Sequence, residues 1–429
     1  MTRELTGSVG PRAAAAQVIE RWLRTDLFPD RLISPGAADR AFVVEVVYGV
    51  VKRFRSLLWV VDHFAERRPE KDVLAHLLVG LYQVLLMDTV PHYAAVNEAV
   101  ASAKASGLHH AAGFVNGILR RALRERESVL RELQRQGLGI AESHPDFLVD
   151  RWSARFGAER TAALCRWNNG RARVAIAFNP LITDLAALTA ALGAAGVAAV
   201  PHPHAPERFL VLPPGTRITP LPGFAEGHFS VQDPSTLEAV RLLDPRPGET
   251  VLDACASPGG KTVLIAEQMF DKGAVIAMDL YGDRLGMLEQ NVARMSLRSV
   301  KLRQGNAASD EDVRNASSTE FFDRILLDVP CSNSGVLRRR PDARWRLNQE
   351  RLGHLTKVQR MLLDNASGFL KPGGILVYST CSLESEENDA QIERWLADNG
   401  HFEIAGSAAL FPPESGTDGV YAVALRRSK

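Results

Sequence analysis

Apolar positions recur at helical spacing through the first 130 residues. Val43, Val47, Val50, Phe54, Leu57 and Val61 are separated by steps of four and three, and Glu45, Lys52 and Arg55 fall off that stripe. This spacing predicts a helix through Val43–Val61 even though β-branched valines favour strands when taken singly. Asp72–Met87 and Ala94–Lys104 continue the pattern. Phe114, Val115, Ile118, Leu119 and Ala122 form one apolar face, while Arg120, Arg121, Arg124 and Arg126 make the other basic. The segment reads as an all-α domain ending near residue 140.

A breaker cluster, Ser143-His144-Pro145, opens a second segment, residues 141–231. It predicts a helix over Phe147–Asn168, a strand over Arg173–Phe178, a helix over Asp184–Ala195 and a strand over Arg208–Leu212. Pro and Gly are dense around that last strand. The reading is a small α+β linking region with no chemistry of its own.

From about Gln232 to the end the rhythm becomes strand, loop, helix. Strands are predicted at Thr250–Cys255, Ala274–Asp279, Val300–Arg303, Asp323–Asp328 and Gly374–Ser379, with helices at Lys261–Met269 and Gly282–Met295. That alternation implies right-handed βαβ units and a mainly parallel sheet.

Composition narrows the classes. At 429 residues the chain exceeds one ordinary core. No apolar run reaches the roughly 18 residues of a membrane span; the longest stretches, Leu77–Met87 and Ala41–Val51, are interrupted or amphipathic. Met1-Thr2-Arg3-Glu4 lacks the basic-then-apolar form of a signal peptide. Cys165, Cys255, Cys331 and Cys381 show no CxxC spacing, so reduced thiols in the cytoplasm are expected. His202 and His204, or His109 and His110, pair with no second ligand cluster, so no metal is expected. A net charge of +1 means that any nucleic-acid footprint is a local patch.

The run Val251-Leu252-Asp253-Ala254-Cys255-Ala256-Ser257-Pro258-Gly259-Gly260-Lys261-Thr262 takes an apolar strand through a Gly-rich turn into a helix. Glycines let the backbone approach a ligand, and the helix N-terminus offers unpaired N–H groups. The spacing is neither a P-loop nor GxGxxG. Asp279, at the end of the next predicted strand, is placed to accept from two ribose hydroxyls. Asn306, after the third strand, is the natural neighbour for an adenine. Without a pyrophosphate pattern, S-adenosylmethionine (SAM) suits this arrangement better than NAD.

Two cysteines close matching strands: Asp328-Val329-Pro330-Cys331 and, 50 residues on, Ser379-Thr380-Cys381-Ser382. In a parallel sheet both tips face the edge where ligands bind. Such a pair beside a carboxylate fits methylation of carbon 5 of a pyrimidine. That carbon becomes nucleophilic only after a group adds to carbon 6, and a thiolate both adds and leaves readily. A carboxyl can hydrogen-bond the ring nitrogen as charge builds, and a second group assists loss of the carbon 5 proton. Arg338-Arg339-Arg340-Pro341-Asp342-Ala343-Arg344-Trp345 offers phosphate contacts and a stacking face for RNA. Glu384, Glu386 and Glu387 suit the dipole of a following helix and read as structural.

These blocks closely resemble the RNA cytosine-5 methyltransferase family, in its bacterial Sun/Fmu type that modifies small-subunit ribosomal RNA. The family's DxCAxPGGKT, DAPCSxxG and TCS motifs stand as Asp253–Thr262, Asp328–Gly335 and Thr380–Ser382. Phe229–Ser235 resembles the family's entry into the catalytic domain, and Asp418–Tyr421 its closing strand. Asp39–Tyr48, Val79–Met87, Ala95–Ala99 and Gly113–Arg121 resemble the RNA-binding module similar to antitermination factor NusB.

The resemblance implies a Rossmann-like SAM-dependent methyltransferase domain over 232–429, preceded by a NusB-like domain over 1–140 and the linking region. It implies methyl transfer to cytosine in 16S rRNA by a monomer. Cys381 would attack carbon 6, Asp328 would bind the cytosine, Cys331 would assist release and Lys261 would orient Asp328. SAM would meet Cys255, Ala256, Ser257, Pro258, Gly259, Gly260, Lys261, Asp279, Arg284, Asn306 and Asp328. RNA would meet Arg120, Arg121, Arg124, Arg338, Arg339 and Arg340. Asn306 stands where the family usually has Asp, which implies weaker cofactor binding, and Ser257 and Val329 replace commoner alanines. The alternatives are the same chemistry on tRNA and a non-catalytic RNA-binding assembly factor.

Overall fold

The computed structural model describes residues 10–88, 90–316 and 319–429; Met1–Glu4, read above for a signal peptide, lie outside them. The chain divides into two compact units. One ends at Gly170 and also takes in Arg339–Arg346; the other comprises Arg171–Arg338 and Leu347–Lys429.

The first unit is helical throughout, and its main helices cover Pro11–Arg24, Arg40–Lys52, Phe54–Phe64, Lys71–Leu86, His92–Ala105 and Ala112–Arg124. Their apolar faces converge on one core. Helix Lys71–Leu86 lies at its centre and is buried along every residue from Val73 to Leu85, as befits a helix apolar on all sides. The single helix predicted through Val43–Val61 is instead two, breaking at Arg53. The cause is remote in sequence. The Val51 carbonyl accepts from Trp345 Nε1 at 2.8 Å, the Arg55 N–H donates to Ser143 Oγ at 3.0 Å, and the pairing that would continue the helix is lost. Phe147–Asn168 likewise divides, into Asp146–Phe156 and Ala158–Asn169 around Gly157 at φ +82.

The same remote segment corrects the RNA-stacking role predicted for Arg344 and Trp345. Arg344 is fully buried, and its guanidinium donates to Asn169 Oδ1 at 2.9 Å and to the Ser143 carbonyl at 3.1 Å. Trp345 packs edge-to-face on Phe54, which packs in turn on Trp22. Both side chains are spent inside this unit, because burying a planar aromatic and satisfying a buried guanidinium need many partners at once.

The second unit begins with a small antiparallel sheet of β1 (Ala175–Phe178), β2 (Val200–Pro201), β3 (Phe209–Val211) and β4 (Phe229–Val231), in the order β2-β3-β1-β4. Helix Leu185–Ala194 covers it and is capped by the Asp184 carboxylate on Ala187 N–H at 2.8 Å.

A seven-stranded sheet follows: β5 (Thr250–Asp253), β6 (Ala274–Asp279), β7 (Val300–Gln304), β8 (Phe322–Asp328), β9 (Leu370–Thr380), β10 (Phe402–Leu410) and β11 (Val420–Arg427). The order is β10-β11-β9-β8-β5-β6-β7; β11 pairs antiparallel with both β10 and β9, and the other pairings are parallel. Inner strands alternate between two cores. Leu252, Ile325, Leu327, Leu376 and Tyr378 face helices Gln349–Gly368 and Asp389–Asp398. Val251, Leu326, Ile375 and Val377 face helices Thr236–Leu243 and Gly260–Gln268. Strand order reverses at β5, which is flanked by β6 and β8, so the C-terminal tips of these strands form the edge where open parallel sheets bind ligands.

Candidate active site

At the tip of β5 the chain makes the Gly-rich turn and enters helix Gly260–Gln268. Gly259 has φ +104, and a Cβ there would lie 2.3 Å from Leu288 Cδ1, so only glycine fits this bend. Asp253 is buried and accepts from Thr262 Oγ1 at 2.6 Å. Burial pushes its carboxyl up to about 7 against the Thr262 hydrogen bond, with Asp328 and Asp279 adding repulsion. Its Oδ1 and the Ser257 hydroxyl are buried with no hydrogen-bond partner. Orphaned polar atoms beside a close-approach glycine and a helix N-terminus fit a polar ligand laid across the turn. Burial also pushes the Cys255 thiol up, helped by the carboxylates of Asp253, Asp328 and Asp279, so this cysteine is an inert wall.

Asp279 ends β6 and accepts from the N–H groups of Ser257 at 3.1 Å and Tyr281 at 3.0 Å. Its carboxylate thus ties the Gly-rich turn to the second strand tip. Arg284 lies over the Tyr281 ring at 4.6 Å. Asn306 follows β7, is exposed, and accepts from the Ala308 N–H at 3.0 Å, while its own N–H donates to Asp312 Oδ2 at 2.7 Å. An amide oxygen has two lone pairs, so Oδ1 keeps one for a further donor.

Between these groups and the rest of the site lies the Lys261–Asp328 pair, at 2.6 Å. Lys261 comes from the first turn of the helix after β5, and Asp328 from the tip of the neighbouring β8. Burial works against the ammonium charge, but the facing Asp328 carboxylate outweighs it and holds Lys261 above its ordinary value.

Cys331 follows β8 and Cys381 follows β9, and their Sγ atoms stand 3.1 Å apart. The register Asp328↔Ser379 and the hydrogen bond from Gly335 N–H to the Cys381 carbonyl at 2.9 Å hold the two loops together. A Cβ on Gly335 would meet that carbonyl oxygen at 2.8 Å, so this crossing also demands glycine. Cys381 donates toward Asn333 Oδ1 at 3.3 Å. The hydrogen bond with Cys381, then burial, raise the Cys331 thiol well above its ordinary value. All four cysteines are free thiols.

Two residues here carry more than the sequence revealed. Asn333, at φ +60, contacts Cys381 with its oxygen and the Cys331 carbonyl with its amide at 3.0 Å. The sequence predicts Glu387 as a helix-dipole carboxylate. It lies instead in a short turn before the helix, fully buried, and its carboxylate accepts from the Ser332 N–H and from Ser332, Ser382 and Gln359 side chains. The clue was the repeated Cys-Ser dipeptide, 331–332 and 381–382, which sets one hydroxyl behind each thiol.

Of the arginines expected to meet RNA, Arg120, Arg121 and Arg124 are exposed on helix Ala112–Arg124; Arg121 and Arg124 share Glu125, and Arg120 reaches Asn116. Arg339 and Arg340 are exposed, and half-buried Arg338 donates to the Arg171 carbonyl. Among the described residues no group of His, Cys, Asp and Glu is placed to hold a metal, and no helix is long and apolar enough to cross a membrane.

Comparison with known proteins matches the chain in three parts. The model of the family described as 16S rRNA methyltransferase RsmB/F matches residues 240–426, the NusB family model matches 10–124, and the ferredoxin-like domain of the RsmF/B-like methyltransferases matches 144–215. A probable ribosomal RNA small subunit methyltransferase B of Synechocystis sp. is 38% identical, over 87% of this chain and 85% of its own. The ribosomal RNA small subunit methyltransferase B of Pasteurella multocida is 33% identical, over 99% of this chain and 98% of its own. The crystal structure of PH0851 superposes with a TM-score of 0.79 at 25% identity, covering 99% of this chain and all (100%) of that one. With helical, ferredoxin-like and parallel-sheet parts matched in order along the chain, this methyltransferase belongs to the 16S rRNA methyltransferase RsmB/F family.

Proposed function

We propose that the enzyme methylates carbon 5 of a cytosine in small-subunit rRNA, with SAM as methyl donor and Cys381 as a transient covalent anchor. The observation that carries this reading is the pair of thiols 3.1 Å apart at the tips of β8 and β9, beside the Lys261–Asp328 pair. One thiol suffices for an inert core residue; two converging at a ligand edge suit a reaction that needs addition and elimination.

In this reading Cys381 gives up its proton and its sulfur bonds to carbon 6. Electrons of the 5,6 double bond move toward the ring nitrogen, which takes up a proton delivered through the Asp328 carboxyl, held by Lys261, so that the proton leaving the thiol is balanced on the ring. The turn 255–261 with Asp279, Arg284 and Asn306 would hold SAM, which would supply an electrophilic methyl group and depart as the neutral thioether S-adenosylhomocysteine. After transfer the ring nitrogen returns its proton through Asp328, and Cys331 assists removal of the carbon 5 proton. That electron pair re-forms the 5,6 double bond, and the carbon–sulfur bond breaks with Cys381 leaving as a thiolate.

The test is methyl transfer from isotopically labelled SAM to unmodified small-subunit rRNA, followed by nuclease digestion. The reading predicts label in 5-methylcytidine. Label in tRNA alone would move the substrate, and label in another base would overturn the chemistry.

A further inference from the structure

The strongest feature left unused by that chemistry is a buried carboxylate with which no cation pairs among the described residues. Glu387 is fully buried, and none of its hydrogen-bond partners is basic. A buried carboxylate without a counter-ion is costly, and it persists where several donors converge on it. Here four do. Oε1 accepts from Ser332 N–H at 2.9 Å and Gln359 Nε2 at 2.9 Å. Oε2 accepts from the hydroxyls of Ser332 at 2.5 Å and of Ser382.

Ser332 directly follows Cys331 and Ser382 directly follows Cys381. The two hydroxyls also lie 3.0 Å from each other. One carboxylate therefore grips the residue behind each thiol, while Gln359 fixes it to helix Gln349–Gly368 and also donates to the Pro330 carbonyl at 3.0 Å. The Tyr378 hydroxyl holds the Glu387 carbonyl at 2.7 Å from within β9.

We propose that Glu387 is the positioning residue of the reaction: it clamps the two cysteine loops, through Ser332 and Ser382, so that Sγ of Cys331 and Sγ of Cys381 stay within reach of the same ring. The proposal rests on the cytosine-5 reading for its consequence but not for its geometry. A displacement of about 1 Å in a reacting group is worth about a hundredfold in rate, so the clamp acts on the chemical step and leaves SAM binding alone.

The two oxygens of Glu387 differ in their partners, which makes the conservative variant informative. Oε1 faces only obligate donors, while Oε2 faces hydroxyls, which can turn and accept. In Glu387→Gln the amide oxygen replaces Oε1, the amide nitrogen replaces Oε2, and the clamp closes again. In Glu387→Ala it is gone, and Ser382→Ala removes one arm while leaving the buried carboxylate three donors.

The experiment reads two quantities on the full-length enzyme. One is the single-turnover methylation rate of rRNA, with SAM affinity measured in parallel. The other needs no RNA: diamide, a two-electron oxidant, takes two electrons and two protons from the thiols and joins Cys331 to Cys381, and the loss of two hydrogens is followed by mass spectrometry. Glu387→Ala should slow both by about a hundredfold with SAM affinity within about threefold. Ser382→Ala should slow both by less, and Glu387→Gln should recover most of the loss. Unchanged cross-linking in folded Glu387→Ala or in Ser382→Ala would overturn the proposal. Slowed cross-linking in the variants, with no methylation by the unaltered enzyme, would support the clamp while rejecting the cytosine-5 reading.

Discussion

Lys261 Nζ lies 2.6 Å from Asp328 Oδ2, joining the first turn after β5 to the tip of β8. The pair is a charged link between the Gly-rich turn and the strand that leads to Cys331. Because Asp328 outweighs burial, Lys261 remains an ammonium, and it can hold the carboxyl against the substrate ring. Lys261→Met should reduce the single-turnover methylation rate by about a hundredfold, the scale for removing one preorganised electrostatic group. Equilibrium binding of SAM, followed by calorimetry, should weaken by less than tenfold (about 1.4 kcal/mol). Equal losses in rate and in binding would assign the pair to holding the cofactor.

Gly259 sets the shape of the turn. Alanine there meets a strain of about 1–2 kcal/mol in a left-handed backbone, besides the 2.3 Å approach to Leu288 Cδ1. Gly259→Ala should weaken SAM binding by at least about tenfold. Adding Leu288→Ala relieves the contact but not the backbone, so it should restore only part of the affinity. Full restoration would show that packing alone makes the glycine necessary.

Arg344 is the residue that sequence reading placed most wrongly. In Arg338–Trp345 a run of arginines beside a tryptophan looks like an RNA-facing loop, and Arg339 and Arg340 are indeed exposed. Nothing local distinguishes Arg344 from them. Its partners, Ser143 and Asn169, lie 201 and 175 residues away, and burial among them lowers its guanidinium to about 9. Arg344→Met removes the donor to the buried Ser143 carbonyl and to Asn169 Oδ1 and should destabilise the helical unit by at least about 2 kcal/mol, read as a shift in urea midpoint. A variant with unchanged stability but weaker RNA binding would return Arg344 to the interface.

The helical unit should also be acid-sensitive. Burial lowers His76 to about 4 and His144 well below its ordinary 6.5. His144 is hydrogen-bonded on both ring nitrogens, by the Glu142 carbonyl at 2.6 Å and Asn168 Nδ2 at 3.3 Å, which suits the neutral ring. The unfolded chain therefore binds protons near pH 6.5 that the folded one refuses. Stability from these groups is complete above 6.5 and falls as pH drops toward 4, by up to about 1.4 kcal/mol per pH unit for each histidine. Urea titrations at pH 7 and 5 check this. His76→Gln should reduce the difference, and an identical pH dependence in that variant would remove His76 as a source.

What was legible and what was not divides along chemical distance. Strand β6 and the Gly-rich turn were readable because a short continuous apolar run and glycine spacing are local properties. Cys331 and Cys381 could be paired from sequence because parallel strands bring their ends to one edge. The Arg53 break, the burial of Arg344 and the grip of Glu387 on Ser332 and Ser382 were hidden. Each depends on at least one partner dozens to hundreds of residues away.

The most direct test is a covalent trap. Cys331→Ala enzyme, mixed with SAM and unmodified small-subunit rRNA, is resolved on a denaturing gel. If Cys381 forms the bond to carbon 6 and Cys331 assists its breakage, a slow-migrating protein–RNA band accumulates, and it disappears when Cys381→Ala is added. A band that persists without Cys381, or enzyme lacking Cys381 that methylates at the unaltered rate, would contradict the assignment of the nucleophile.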